Sequence, residues 1–192
     1  MSFLRAVIAI EIPQEIKSQI AGQTAELRQS VGRNVHWVMP ENIHLTLKFL
    51  GEVSSTNLDL LSRALTTEAG QYFPFEVGVQ GLGAFPNLRR PRVIWVGLQV
   101  PAELARLQHS LETATSRIGY TGDDKPFAPH LTIGRVREQA ASNETQCLRN
   151  ALENTKVGPL GKFAVKSIHL FQSELKPGGP VYTCISTAAL GG

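Results

Sequence analysis

The chain has little of what commonly announces a function. Its 192 residues include only two cysteines, Cys147 and Cys184. They form no C-x-x-C pair and give no zinc spacing, so neither a disulfide framework nor a zinc module is expected, and a reduced, cytoplasmic protein is. No apolar stretch approaches the roughly 20 residues of a membrane-spanning helix. The short apolar run that opens the chain is broken by Glu11 and Pro13. No small-residue cleavage site follows it, so it reads as a first buried strand and not as a signal peptide. There is no P-loop to suggest a nucleotide-triphosphate-driven reaction. None of the five histidines has a metal-like partner four residues on, so no metal site and no cofactor are expected. Low-complexity segments are absent. Nineteen basic against sixteen acidic residues leave a net charge of +3, which permits an anionic substrate without establishing one. The 42% hydrophobic and 18% charged content is that of an ordinary folded domain.

What the chain does have is one short phrase written twice. Residues 44 to 47 read His44-Leu45-Thr46-Leu47, and residues 130 to 133 read His130-Leu131-Thr132-Ile133. In a strand, residues two apart share a face. Each phrase therefore sets a His and a Thr on one face and two aliphatics on the other. The aliphatic face can anchor in a core while the polar face lines a cleft. Two imidazoles brought together can act as acid and base near neutral pH, and two hydroxyls beside them can hydrogen-bond an anion. That set of groups suits cleavage of a phosphodiester. A His with a Thr two residues later also arises by accident, but these two share aliphatic flanks, sit in strand-like runs and lie one in each half of the chain.

The surrounding pattern alternates strand and helix. Strands are expected at about 3–11, 35–38, 43–50, 74–83, 92–98, 129–136, 163–174 and 181–190, from alternating or apolar runs. Helices are expected at about 14–30, 56–69, after Pro101, and at about 142–154. Leu58, Leu61 and Leu65 fall on one stripe of the second helix, and Leu104, Leu107 and Leu111 on one stripe of the third. Pro177-Gly178-Gly179-Pro180 marks a turn between the closing strands. The fold class expected is α+β: one bilobal domain over 1–192, two pseudo-symmetric lobes, each a mostly antiparallel sheet with helices on its outer face, and a cleft between them. A monomer is expected. Arg89-Arg90-Pro91-Arg92 forms a basic loop, read either as a solvated turn or as a rim that meets a nucleic-acid backbone.

Asn42-Ile43-His44-Leu45-Thr46-Leu47-Lys48-Phe49-Leu50-Gly51 and Pro126-Phe127-Ala128-Pro129-His130-Leu131-Thr132-Ile133-Gly134-Arg135 resemble the paired motifs of the two-histidine phosphoesterase superfamily. Within it they look most like the bacterial and archaeal RNA 2′,3′-cyclic phosphodiesterases, also called 2′-5′ RNA ligases. The opening strand and the segment Ser173 to Tyr182 are similar to that branch too. The resemblance covers essentially the whole chain. It implies a bilobal fold with a pseudo-twofold axis and no metal, catalytic His44 and His130, and phosphate-holding Thr46 and Thr132. Arg135 matches a family position associated with the substrate phosphate. Strict alternation, however, would put Arg135 on the face of Leu131 and Ile133, and only a bulge at Gly134 would re-aim it. Phe49 and Tyr182 are candidates for a wall against a base or ribose; the alternative is that they are core aromatics.

The chemistry these residues permit is hydrolysis of a 2′,3′-cyclic phosphate on an RNA end or nucleoside. One His takes a proton from water while the other gives one to the departing ribose oxygen. We assign His44 as the acid and His130 as the base. With an RNA 5′-hydroxyl in place of water, the same groups would give a 2′-5′ linkage, reversibly. The alternatives are an RNA-end-binding module without turnover and a phosphodiesterase for another cyclic or 2′-5′ linked nucleotide. Of the other histidines, His36 is a minor candidate for substrate contact, His109 reads as a surface residue, and His169 as a packed structural one.

Overall fold

The structure, a computed structural model, describes residues 2–122, 125–137, 142–177 and 179–191. Asp123 and Asp124, which the sequence reads as a turn, and Gly178 of the expected closing turn lie outside the described residues. In chain order the elements are β1 (Phe3–Glu11), α1 (Gln14–Gln23), α2 (Ala25–Ser30), β2 (Val35–Trp37), β3 (His44–Ser54), α3 (Leu58–Ala69), β4 (Phe75–Phe85), β5 (Val93–Gln99), α4 (Ala102–Arg117), β6 (His130–Val136), α5 (Ser142–Asn154), β7 (Gly161–Val165), β8 (Ser167–Lys176) and β9 (Gly179–Ala189).

All strand pairings are antiparallel. The order across the sheet is β7-β4-β5-β6-β3-β1-β8-β9, with β2 added on β6. This order is symmetric about the β6–β3 junction. Each motif strand is followed outward by three more: β1, β8 and β9 on the β3 side, β5, β4 and β7 on the β6 side. The expected α+β fold with two antiparallel lobes is what forms, and the lobes join edge to edge as one continuous sheet. They are not successive halves of the chain. β4 follows β3 in sequence but pairs with β5 in the other lobe, and β8 pairs with β1.

One face of the sheet is dry. Ile8, Ile10, Leu45, Leu47, Ile94, Val96, Leu131, Ile133 and Leu170 bury into one cluster with Ile16 and Ile20 of α1, Leu61 and Leu65 of α3, and Leu104, Leu107 and Leu111 of α4. Each such side chain contributes about 1.5–3 kcal/mol on leaving water, so α3 and α4 are held by the stripes that the leucine spacing predicted, and α1 by its two isoleucines. The opposite, open face carries a second small cluster of Val7, Ala9 and Phe171, with Tyr182 packed on it.

Two expected elements divide. The helix expected over 14–30 breaks at Thr24, whose buried hydroxyl donates to the Ile20 carbonyl at 2.8 Å. A Thr bonding back four residues competes with the helical ladder and bends it. The strand expected over 163–174 is two strands parted at Lys166, with β7 pairing β4 at one edge and β8 pairing β1 in the other lobe. A continuous β run cannot serve both edges, and hydrophobic alternation alone carries no mark of which neighbour a strand chooses. The closing hairpin β8–β9 has an extra residue, Ile185, between the pairs Leu170–Ser186 and Phe171–Cys184. Its tip reaches the loop before β3, where the Asn42 side-chain amide donates to the Pro180 carbonyl at 2.8 Å.

Candidate active site

The two motif strands are neighbours, and their ladder contains the pair Leu45–Leu131. Carrying that antiparallel register one residue each way sets His44 opposite Thr132 and Thr46 opposite His130. Leu45 and Leu131 point into the helix-covered core and are fully buried. Alternation therefore turns both His-Thr pairs to the open face. The pseudo-twofold runs between the two leucines, and each histidine faces the threonine of the other motif.

Both rings are held in the same way. His44 Nδ1 lies 2.8 Å from the Asn42 carbonyl, and His130 Nδ1 lies 2.7 Å from the Ala128 carbonyl. A carbonyl only accepts, so in each ring Nδ1 carries the proton and Nε2 is left for chemistry. Each ring also meets an aromatic edge: Tyr182 with its centroid 4.7 Å from His44, and Phe85 with its centroid 4.9 Å from His130. Burial pushes the His44 imidazole below its usual value near 6.5; the Asn42 carbonyl opposes that, and the Lys17 ammonium adds to it.

Past the threonines the two strands repeat a further device. On β3, Thr46 pairs with Ala9 and Lys48 with Ile8, leaving Leu47 as an extra residue. On β6, Thr132 pairs with Trp95 and Gly134 with Ile94, leaving Ile133 as the extra residue. These bulges reverse the alternation. Phe49 now pairs with Val7, which shares its face with Ala9, and Arg135 pairs with Val93, which shares its face with Trp95. Cross-strand partners point the same way. Arg135 therefore stands on the face of His130 and Thr132, and strict alternation, which put it with Leu131 and Ile133, is corrected by the bulge one residue earlier. Phe49 stands on the face of His44 and Thr46 and is 64% exposed, so it is no core aromatic. The same reversal buries Lys48, which pairs with Glu112 of α4. The Glu112 carboxylate also accepts from the Gly122 amide at 2.8 Å.

Two cavities adjoin the motifs. One, of about 630 Å³, opens where β3 and the approach to β6 diverge, and is lined by Thr46, Phe49, Phe85, Lys125, Phe127 and His130 among others. The other, of about 380 Å³, lies under the hairpin tip beside His44 and Tyr182, with Lys17 and Lys176 in its wall. The sequence reading missed Phe85, Asn42 and Lys17. Asn42 was visible two residues ahead of His44, where its carbonyl reaches Nδ1; nothing in the sequence pointed to Phe85 or Lys17. His36 pairs with Arg135 on β2 and is exposed, and His109 is exposed on α4. His169 is a packed residue, within hydrogen-bond distance of Thr187 Oγ1 (3.0 Å) and Ser167 Oγ (3.2 Å). Among the described residues no group of three or more His, Cys, Asp or Glu could hold a metal ion, and no helix is long and apolar enough to cross a membrane.

A duplicated strand device around one axis, with a His-x-Thr in each copy, describes a class of phosphoesterase, and comparison with known families finds that duplication. The family described as LigT-like phosphoesterase matches the chain twice, over residues 10–95 and 96–182, one motif in each match, and the chain belongs to that family. A protein of Methanothermobacter thermautotrophicus named RNA 2′,3′-cyclic phosphodiesterase is 33% identical over 94% of this chain and 95% of its own length. One of the same name from Archaeoglobus fulgidus is 34% identical over 93% and 96%. Among solved structures, a Thermus thermophilus protein superposes with a TM-score of 0.79 at 29% identity, covering 97% of this chain and 98% of that one. The E. coli LigT complexed with 3′-AMP superposes with a TM-score of 0.73 at 30% identity, covering 98% and 99%.

Proposed function

We propose that this phosphoesterase hydrolyses the 2′,3′-cyclic phosphate of RNA ends or nucleosides to a 2′-phosphomonoester, without a metal ion, using His44 and His130 as an acid–base pair. The observation that carries the reading is the central register, which sets each histidine opposite the other motif's threonine on one open face. A phosphate over the Leu45–Leu131 pair would have an imidazole Nε2 on each side and a hydroxyl beside each imidazole. Water attacks phosphorus from one side and a ribose oxygen leaves from the other. His130 takes the water's proton as base, and His44 gives one to O3′ as acid. Thr46, Thr132 and Arg135 stabilise the charge that grows on the non-bridging oxygens. Phe49 and Tyr182 wall the terminal nucleoside. The names of the archaeal relatives support the choice of substrate.

The assignment of His44 as acid has a requirement. Its half-buried ring, held below its usual value near 6.5, rests neutral at pH 7, with Lys17 biasing it further that way. An incoming phosphate anion reverses that bias and favours the imidazolium, so the acid forms as the substrate binds. The same geometry with an RNA 5′-hydroxyl in place of water as the entering group makes a 2′-5′ linkage: the 5′-oxygen bonds to phosphorus, the P–O3′ bond breaks, and His44 protonates O3′.

The test is incubation with nucleoside 2′,3′-cyclic phosphates in EDTA, with chromatographic separation of the 2′- and 3′-phosphate products. A 2′-phosphate product in the presence of chelator is expected. Activity abolished by EDTA and restored by a divalent ion refutes the metal-free mechanism, and a wholly 3′-phosphate product refutes O3′ as the leaving oxygen.

A further inference from the structure

The basic loop Arg89-Arg90-Pro91-Arg92 has no part in the chemistry above, yet the fold sets it beside the catalytic face. It joins β4 to β5, and its two ends carry Phe85 and Val93, which pair with each other. Phe85 meets His130 edge-on at 4.9 Å and lies 5.3 Å from the Trp95 ring. A line of three rings thus leads outward along the open face from His130. It ends at a shallow groove of about 720 Å³ bordered by Trp95, Gly83, Asn87, Leu88, Arg89 and Glu153.

The groove is furnished on two sides. The Trp95 ring lies over Gly83 so closely that a Cβ there would stand 2.3 Å from it. That backing holds the indole in one orientation while its remaining surface borders the groove. On the other side, the Asn87 side-chain oxygen accepts from the backbone N–H of both Arg89 (3.0 Å) and Arg90 (3.1 Å), which holds the loop in shape while both arginine side chains stay exposed. The carboxylate in the wall, Glu153, is engaged by Arg149 at 2.9 Å. An aromatic platform beside exposed guanidinium groups is the physical signature of a single-stranded nucleic-acid track: bases stack on the ring and phosphates meet the cations.

We infer that this groove is a subsite for the nucleotide preceding the reacting terminus of a single-stranded RNA. Its base lies on Trp95 and the adjoining phosphates face Arg89 and Arg90. The inference rests on the proposed function, because it needs the terminal cyclic phosphate to lie between His44 and His130. It goes beyond that function in making the enzyme prefer a strand to a mononucleotide. A nucleoside cyclic phosphate fills the catalytic face and leaves the groove empty; an RNA end fills both.

The experiment compares wild type, the double variant Arg89→Ala/Arg90→Ala and the single variant Trp95→Leu. The first measurement is kcat/KM on a tetranucleotide ending in a 2′,3′-cyclic phosphate relative to a nucleoside 2′,3′-cyclic phosphate. The second is the salt dependence of binding of a fluorescently labelled tetranucleotide ending in a 2′-phosphate, which cannot turn over. In wild type the strand is expected to be favoured by about 10-fold or more. In the double variant that ratio collapses toward one, nucleoside turnover holds, and the slope of log affinity against log salt flattens by roughly 1.4. Trp95→Leu is expected to weaken strand binding by about 5- to 100-fold, with thermal melts alongside to show that the fold survives. A wild type that favours neither substrate, or a double variant that keeps both the ratio and the salt slope, overturns the subsite. The two readings fail separately. If no cyclic phosphate turns over, the proposed activity falls while salt-dependent binding of the labelled strand still decides the subsite; if nucleoside turnover is intact and the ratio is one, only the subsite falls.

Discussion

Around the Leu45–Leu131 pair the two motif strands match position by position and then part. Each has a His held at Nδ1 by the carbonyl two residues earlier, a Thr, a bulged aliphatic, and a residue that the bulge swings onto the open face. At that last position one strand has Phe49 and the other Arg135. One step before it, the first has buried Lys48 and the second Gly134. The Gly134 position is closed off by β2: a Cβ there would meet Val35 at 2.7 Å and Trp37 at 3.0 Å. Among the described residues no such strand covers β3, and the cavity of about 630 Å³ opens there instead, with Lys48 and Glu112 in its wall. What the halves share is, under the proposed function, the hardware for moving two protons across one phosphate. What they do not share is how each treats the rest of the substrate. A symmetric centre with asymmetric surroundings is what a lopsided substrate needs, with a nucleoside on one side of phosphorus and water on the other.

The shared part of the comparison is broken most severely by removing either histidine. His44→Ala and His130→Ala should each lower kcat/KM on a nucleoside cyclic phosphate by about 10² or more, since each leaves one end of the displacement unassisted. The double variant should fall well short of the product of the two losses, because the pair works as a unit. Thermal melts should hold, since the core-building residues of the motifs are Leu45, Leu47, Leu131 and Ile133 on the other face. Near-wild-type turnover in either single variant would show that the symmetry of the two motifs is structural and not catalytic.

The unshared part is sharpened by the pair Phe49 and Arg135. Phe49→Ala should raise KM by roughly 5- to 100-fold with kcat little changed, as loss of a stacking wall does. Arg135→Ala should lower kcat as well, because under the proposed function it removes charge facing the phosphoryl oxygens. If both variants act on KM alone, Arg135 binds and does not assist chemistry.

Much of this was legible in the residues. The repeated His-x-Thr gave the faces of both motif strands, and leucine spacing gave the buried stripes of α3 and α4. What could not be read was two-body information. The bulges at Leu47 and Ile133 exist only relative to β1 and β5, so Arg135 was seen to need re-aiming but Phe49 stayed undecided between wall and core. The exchange of β4 and β8 between lobes follows from strand partners, which period-2 alternation does not name. Phe85 sits at the end of an ordinary strand, and only the pairing of β4 with β5 and β5 with β6 brings it to His130.

The pair of buried Lys48 and half-buried Glu112 offers a contrast in stability. Glu112→Ala strands the Lys48 ammonium in a site where it is 4% exposed, and breaking a buried pair from one side costs about 3–5 kcal/mol. At about 2–4 °C per kcal/mol for a chain of this size, a drop in Tm of about 6–20 °C is expected. Replacing both partners at once, Lys48→Met with Glu112→Leu, should cost far less or nothing. Equal melts for the single and double replacements would show that the pair is solvated in solution.

The smallest expected effects concern pH, and they separate His44 from its twin. Burial holds the His44 imidazole below its usual value near 6.5 in the folded chain, and the unfolded chain lacks that burial. Between the two values the unfolded state binds more protons, so stability is full above about 6.5 and is lost as pH falls through the lowered folded value. Burial lowers His169 as well, against the pull of Glu11, so Tm should fall by roughly a few degrees on acidifying from neutral pH. His44→Ala and His169→Asn should each flatten part of that slope. Catalysis gives the complementary reading. If His44 is the acid, kcat/KM reports it in the free enzyme, where the basic limb should lie below 6.5; kcat reports it with the phosphate bound, where the anion should move the limb upward. Basic limbs that coincide in the two profiles would show that substrate binding does not charge His44, and the acid would then have to be His130.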